Sequence, residues 1–160
     1  MIIGLFPELS GAGGVQRAGR LTAAALASFA SGRSLPCRFL GLNDLPDAPP
    51  LLVGSQSIPF SGFQRSKNRF FRAAWSAATQ QPSLIAAFHP FLAPVVRAMK
   101  FRAPRTPVVI FTHGVEVWTP LPMLRRRSLR CADLVFAPSR DTAQQLADQQ
   151  GLPHERIRRL

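Results

Sequence analysis

The sequence predicts an α/β domain built on a doubly wound parallel sheet, and three observations predict it. Short apolar runs alternate along the chain with stretches of helical periodicity, in the order strand, helix, strand. That is the pattern of parallel strands joined by crossovers that pack helices on both faces. A glycine-rich turn, "SGAGGVQR", joins the first strand to the first helix, and such a turn lets the backbone approach a ligand phosphate at the carboxyl end of a sheet. The third observation is size: 160 residues, 46% of them hydrophobic, read as one domain, residues 1–160, large enough to close its own core.

Each element follows from its residues. "MIIGLF" is a continuous apolar run stopped by Pro7, as expected of a strand buried on both faces. A helix from about Val15 to Phe29 places Val15, Ala18, Thr22, Leu26 and Phe29 on one inward side, with Arg17 and Arg20 off it and Gly32 as the stop. "CRFLGL" is a second strand, and residues 44–63, rich in Pro, Gly and Ser, read as loop. From about Lys67 to Gln80 a helix turns Phe70, Phe71, Ala74, Trp75 and Ala78 inward and Arg65, Arg69 and Arg72 outward. Lys67 would fall on the apolar side, so the helix should begin near it. "SLIAAF" is a strand ending at His89, and Pro94 suits the first turn of a helix carrying Val95, Val96 and Met99 inward. "PVVIFT", β-branched and aromatic, is a strand ending at His113. A helix over about Leu124 to Cys131 leads to a strand within "ADLVFAPS"; Ser139 then caps a helix running to about Gln150 and ended by Gly151.

Charge is the strongest compositional signal: 20 Lys and Arg against 8 Asp and Glu give a net charge of +12. No acidic residue lies between Ala48 and Val115, while Arg65, Lys67, Arg69, Arg72, Arg97, Lys100, Arg102 and Arg105 all do, and Arg125, Arg126, Arg127 and Arg130 follow. Such a field attracts phosphorylated ligands, nucleic acid or acidic lipid headgroups without choosing among them, and for any single arginine solvated surface is the simpler account. Cys37 and Cys131 are the only cysteines and the 3 histidines are far apart, which fits a reducing cytosol and leaves no metal-ligand spacing, so no metal is expected. No apolar run approaches the ~20 residues that a spanning helix needs. "RAGRLTAAALASFA" has the arginines, apolar stretch and small residues of a signal peptide, but the preceding "MIIGLFPEL" is apolar and carries Glu8, which favours an alanine-rich first helix.

Three strand ends point to one rim of the sheet: the glycine-rich loop, His89 and His113. In the loop Gly13 and Gly14 would approach an anion, with Val15 and Gln16 opening a helix whose free N–H groups and dipole favour negative charge. The loop is neither Gly-x-Gly-x-x-Gly nor a Walker loop: position 16 is Gln, Asp44 and Asp47 sit in a proline-rich stretch, and no Gly-Lys-Ser/Thr occurs. His89, followed by Pro90, reads first as a partly buried, hydrogen-bonded side chain. His113 opens "HGVEVW", where Gly114 permits a tight turn and Glu116 would orient the imidazole or bind a hydroxyl-rich ligand. Trp118 reads as core.

"GAGGVQR" after the first strand, "FTHGVEVWTPL" after a central strand and "LRCADLVFAPSRDTAQQLADQQGLPHERI" near the end together resemble the amino-terminal domain of the retaining glycosyltransferases of family 4, which have the GT-B fold. The likeness spans nearly the whole chain. It implies a Rossmann-like domain that forms the acceptor-side wall of a cleft, facing a second domain that holds the nucleotide sugar. It also implies Gly14 near the donor phosphates or the transferred sugar and His113 beside the reacting sugar, with Glu116 in the same loop. His89 and Ser139 are further candidates for sugar or acceptor contacts. No cofactor beyond the nucleotide-sugar co-substrate is implied, and no metal.

One departure matters. The second domain of that family supplies an Arg, a Lys and two glutamates eight positions apart, whereas the only glutamates here are Glu8, Glu116 and Glu155. The expectation is a chain without the donor domain, inactive unless a second domain or polypeptide completes the cleft. Because relatives act on glycan or lipid-linked acceptors, the helix bearing Arg65, Lys67, Arg69 and Arg72 is also expected to meet an anionic membrane surface at the cytoplasmic face. Two rival readings stand beside this one. A nucleic-acid-binding module fits the charge and "FQRSKNRFFRAAW" but lacks any recognition signature, and a stand-alone dinucleotide-binding domain lacks its ribose-binding acid.

Overall fold

A computed structural model describes residues 1–160. Strand β1 (Ile2–Phe6) is buried at all five positions, because it is central, paired with β2 (Cys37–Gly41) on one side and β6 (Leu84–Ala87) on the other. The same sheet continues through β7 (Val108–Phe111), β8 (Leu134–Ala137) and β9 (Ile157–Arg159) in one direction and ends at the short β5 (Ser61–Gly62) in the other. All six pairings in this seven-stranded sheet are parallel. The doubly wound expectation is met.

The direction of each crossover decides which face its helix covers. From β1 the chain steps outward to β2 and β5, then returns past β1 to β6 and proceeds the other way. Right-handed crossovers therefore put α1 (Gly14–Ser31) on one face and α2 (Lys67–Ala78), α3 (Ala93–Arg102), α4 (Met123–Leu129) and α5 (Arg140–Asp148) on the other. The larger core lies under these four helices and includes Ile3, Leu5, Ile85, Ile110, Phe70, Val96, Met99, Leu129 and Leu146. A smaller one, around Phe6, Phe39 and Phe88, lies under α1 and an antiparallel hairpin of β3 (Leu51–Val53) and β4 (Gln56–Ile58). Over β7 and β8 on that side, Phe111 and Phe136 stack on one another with centroids 5.0 Å apart and stay half-buried.

Several sequence expectations are corrected. Helix α1 buries Gly19, Ala23, Ala24 and Ala30, while Val15 and Phe29, expected inside, are 40% and 47% exposed. The bulk on this side comes from the sheet, whose aromatic rings leave room only for small residues above them; a Cβ on Gly19 would already meet the Phe88 ring at 3.4 Å and Phe6 at 3.6 Å. Residues 44–63 are not simply loop: they hold the hairpin and the edge strand β5. In α2, which begins at Lys67 as expected, Phe70 is buried but Phe71 is 40% exposed and stacks on Trp75. The chain's one ion pair joins Lys100 to Asp133 at 2.8 Å, and the same carboxylate accepts the Val108 N–H, tying α3 to the start of β7. No helix is long and apolar enough to cross a membrane.

Candidate functional site

Strand order reverses between β1 and β6, and in open α/β sheets ligands sit outside the carboxyl ends at such a reversal. Here the loops after β1, β6 and β7 surround that point. The first begins α1, the second carries His89 and the third carries His113.

The glycine-rich loop is held from three sides. Asp44, 1% exposed, accepts the Leu9 N–H at 2.9 Å, the Ser10 N–H at 2.7 Å and the Ser10 hydroxyl at 2.5 Å. Arg20 donates to the carbonyls of Leu9 at 2.8 Å and Gly11 at 2.7 Å. The Gln16 amide donates to Glu8 at 3.0 Å. Gly13 caps α1 at φ 138°, ψ 167°, a backbone region essentially confined to glycine. No side chain caps the helix start, so the first N–H groups, from Gly14 on, point outward unpaired. Gly13, Gly14 and Val15 are exposed and Gln16 is half-buried. The loop is thus rigid in its base and open at its tip, as an anion-accepting turn must be.

His113 lies at the end of β7 with its ring 4.6 Å from the Phe88 ring, centroid to centroid. Its Nε2 is 2.8 Å from the Phe88 carbonyl oxygen; a carbonyl only accepts, so Nε2 donates this hydrogen bond, and Nδ1 is the ring nitrogen it leaves without that partner. Phe88 in turn packs on Phe6 at 5.6 Å and under Gly19 of α1. A continuous set of contacts therefore joins the helix that follows the glycine-rich loop to the imidazole.

His89 sits 5.7 Å from His113, ring to ring, and its Nδ1 accepts the Phe91 N–H at 3.0 Å. Burial lowers its proton affinity; the Glu116 charge opposes this, while His113 and Arg125 reinforce it. The half-buried, hydrogen-bonded reading of His89 describes this geometry. Glu116 does not orient the imidazole: its carboxylate accepts the backbone N–H of His113 at 2.5 Å, closing the turn that Gly114 opens at φ 138°. Trp118, expected in the core, is 46% exposed.

Ser139 also stands on this rim, at the end of β8, where its hydroxyl accepts the Thr142 N–H at 3.1 Å and bonds the Thr142 hydroxyl at 3.0 Å. Its oxygen is thereby engaged in the cap of α5. Arg65, Lys67, Arg69 and Arg72 are exposed at the start and outer side of α2 without a carboxylate partner. No three His, Cys, Asp or Glu side chains converge as metal ligands would.

The sequence reading passed over Asp44, Arg20, Phe88 and Gln150. The buried Gln150 side chain donates to the carbonyls of Val117 and Thr119 and accepts the Leu121 N–H, fixing the segment after His113. The only mark Asp44 leaves in the sequence is its place two residues past the end of a predicted strand; its partners in the glycine-rich loop leave none.

The family model described as Glycosyltransferase Family 4 matches residues 15–160, nearly the whole chain. The chain belongs to glycosyltransferase family 4. Solved structures agree on the fold. HepE of Anabaena, solved with UDP and glucose, superposes with a TM-score of 0.68 at 18% identity over 100% of this chain and 44% of its own. The same protein with UDP-glucose gives 0.66 at 19%, over 100% and 43%. The lipopolysaccharide outer core galactosyltransferase WaaB in its apo form gives 0.62 at 12%, over 98% and 44%. The fold of this family 4 chain is therefore the Rossmann-like α/β unit of the GT-B glycosyltransferases, and it spans less than half the length of these proteins. No curated protein sequence matches the chain.

Proposed function

We propose that these 160 residues are the acceptor-side domain of a retaining glycosyltransferase, which moves a sugar from a nucleotide-sugar donor to a glycan or lipid-linked acceptor. The observation that carries this reading is the placing of two loops on one rim at the strand reversal of a family 4 fold: α1, which opens at Gly13–Gly14, rests through Gly19 on the Phe88 ring, and the His113 imidazole packs on that same ring and bonds the Phe88 carbonyl. In this reading the free N–H groups of the helix start stabilise negative charge on the donor phosphates or the transferred sugar. His113, its Nε2 proton committed to Phe88, presents Nδ1 to a hydroxyl of the reacting sugar and holds it in place. Glu116 acts on the backbone of that turn. HepE was solved with UDP-glucose, which supports a nucleotide sugar as donor. No metal takes part in this scheme.

The purified chain alone is expected to transfer no sugar, since one wall of a cleft does not hold donor and acceptor in reacting geometry. With a donor-binding domain supplied in cis or as a second polypeptide, transfer should appear, and His113→Ala should lower kcat by about 100-fold. Transfer by the chain alone, or full activity in the His113 variant, overturns the reading.

At the cytoplasmic face, Arg65, Lys67, Arg69 and Arg72 are proposed to hold the domain reversibly on anionic lipid, at ~1 kcal/mol each. The chain should then pellet with anionic but not neutral vesicles and lose that preference when the four are neutralised. Equal recovery in both supernatants removes this part.

A further inference from the structure

Gln150 takes no part in the scheme above, yet its side chain is 0% exposed and both ends of its amide are engaged. Nε2 donates to the carbonyls of Val117 at 2.8 Å and Thr119 at 2.7 Å, and Oε1 accepts the Leu121 N–H at 3.0 Å. Only this orientation fits, since the turned amide would set its oxygen against two carbonyls and its NH2 against a donor. All three partners lie in the segment that follows His113. Gln150 is itself held from the other side: its carbonyl accepts Arg130 Nε at 2.9 Å. At the next residue, Gly151, φ is 63° and a Cβ would run into the Arg130 guanidinium.

Residues 113–117 form a turn closed upon itself. The Val117 N–H donates to the Gly114 carbonyl at 3.2 Å, and Glu116 accepts the His113 N–H at 2.5 Å. Val117 is the buried end of this turn, and its carbonyl is the one Gln150 grips. Apart from Gln150, the one polar link from residues 114–121 to a distant part of the chain is Trp118 Nε1 to the Thr142 hydroxyl at 3.5 Å, a weak bond at that length. Packing of Val117 presses the turn onto the core but does not stop it sliding there; directional bonds do.

From this arrangement we infer that Gln150 is a positioning residue for His113. The imidazole is located by two anchors that share no residue: Phe88, which touches the ring, and Gln150, which fixes the turn that carries its backbone. With the second anchor gone, the ring no longer meets the Phe88 carbonyl from a fixed starting point. The effect on catalysis rests on the glycosyltransferase reading; the anchor itself does not.

Gln150→Met keeps the length of the side chain and none of its hydrogen bonds. Thr106→Val is the control, for the Thr106 hydroxyl is also buried and donates to the Pro82 carbonyl at 2.7 Å, at the opposite edge of the sheet. In the 160-residue chain both variants should lower the denaturation midpoint. Only Gln150→Met should move the ring-nitrogen resonances of His113 and speed amide exchange at His113 and Val117 beyond the global share. Gln150→Glu keeps the acceptor for Leu121 and, while protonated, one donor, so it should fall between Gln150→Met and the unaltered chain; it carries the same comparison if Gln150→Met does not fold. In the completed enzyme Gln150→Met should lower kcat by about tenfold or more with KM for the donor little changed, and Thr106→Val should leave kcat as it was. Unmoved His113 resonances in the Gln150 variants, or equal movement in Thr106→Val, overturns the inference. So does an unchanged kcat in Gln150→Met when His113→Ala disables the same enzyme. If the resonances move as expected but neither Gln150→Met nor His113→Ala alters transfer, the role given to His113 in the glycosyltransferase reading fails and the anchor stands.

Discussion

The Asp44 carboxylate accepts donors from Leu9 and Ser10 that otherwise have no partner under the glycine-rich loop. Two glycines make room for it: a Cβ on Gly41 would run into the Asp44 side chain and one on Gly62 into the Leu45 backbone. Asp44→Asn keeps the shape but turns an amide donor toward one of those donors, and should cost about 2 kcal/mol, read as a lower denaturation midpoint. The Leu9 and Ser10 amides should then exchange with solvent markedly faster, while amides in β7 and β8 lose only the global share; unchanged exchange at Leu9 and Ser10 would show that the loop does not depend on this group. At this scale the sequence told part of the story. Gly13 and His113 were legible because a positive φ and a strand-end imidazole leave marks in residue type and position. Asp44 was not, because its partners lie 34 and 35 positions away and an isolated acid beside prolines looks like solvated loop. For Glu116 the turn is legible but, of its two expected partners, the imidazole gives way to the backbone N–H of His113, since spacing alone does not separate a ring nitrogen from the backbone N–H of the same histidine.

Among the elements, strands were read more faithfully than helix faces. A strand buried on both sides needs only an unbroken apolar run, as in β1, whereas the inward side of α1 depended on what lay beneath it. The rule that the largest side chains turn inward assumes the sheet leaves space, and Phe6, Phe39 and Phe88 fill that space themselves. The short edge strand β5 and the hairpin were invisible because two or three residues carry no periodicity. Acid stability is set by the links between elements. Burial raises the Asp133 carboxyl, but the Lys100 hydrogen bond, the Val108 N–H and the charges of Lys100 and Arg156 outweigh it and hold it below the usual carboxylate range. Its folded value lies under its unfolded one, so the unfolded chain binds the proton more tightly. The stabilisation is complete above the ordinary value of ~3.9 and disappears as pH falls through the folded one. His89, held below its ordinary ~6.5 by burial, has the same sign at higher pH: its contribution is lost as pH drops from that value through the folded one. Stability should therefore fall in two stages on acidification. His89→Gln should remove the first stage and Asp133→Asn the second, the latter costing no more than about 1 kcal/mol at neutral pH because the pair is partly exposed. A denaturation series in which neither variant changes the pH profile would refute this account.

For the molecule as a whole, the alternation of strands and helices was written in the residues, but the left-then-right order of the sheet was not, because no side chain records which way a crossover turns. That order brings residues near positions 13, 89 and 113 to one rim. It also divides the helices one against four, leaving Phe111 and Phe136 half-covered over β7 and β8. Phe88 stands where these features meet, touching Phe6, Phe111, Gly19 and His113. A smaller side chain at position 88 would therefore release the middle of α1 and the imidazole together, although the two share no stretch of backbone.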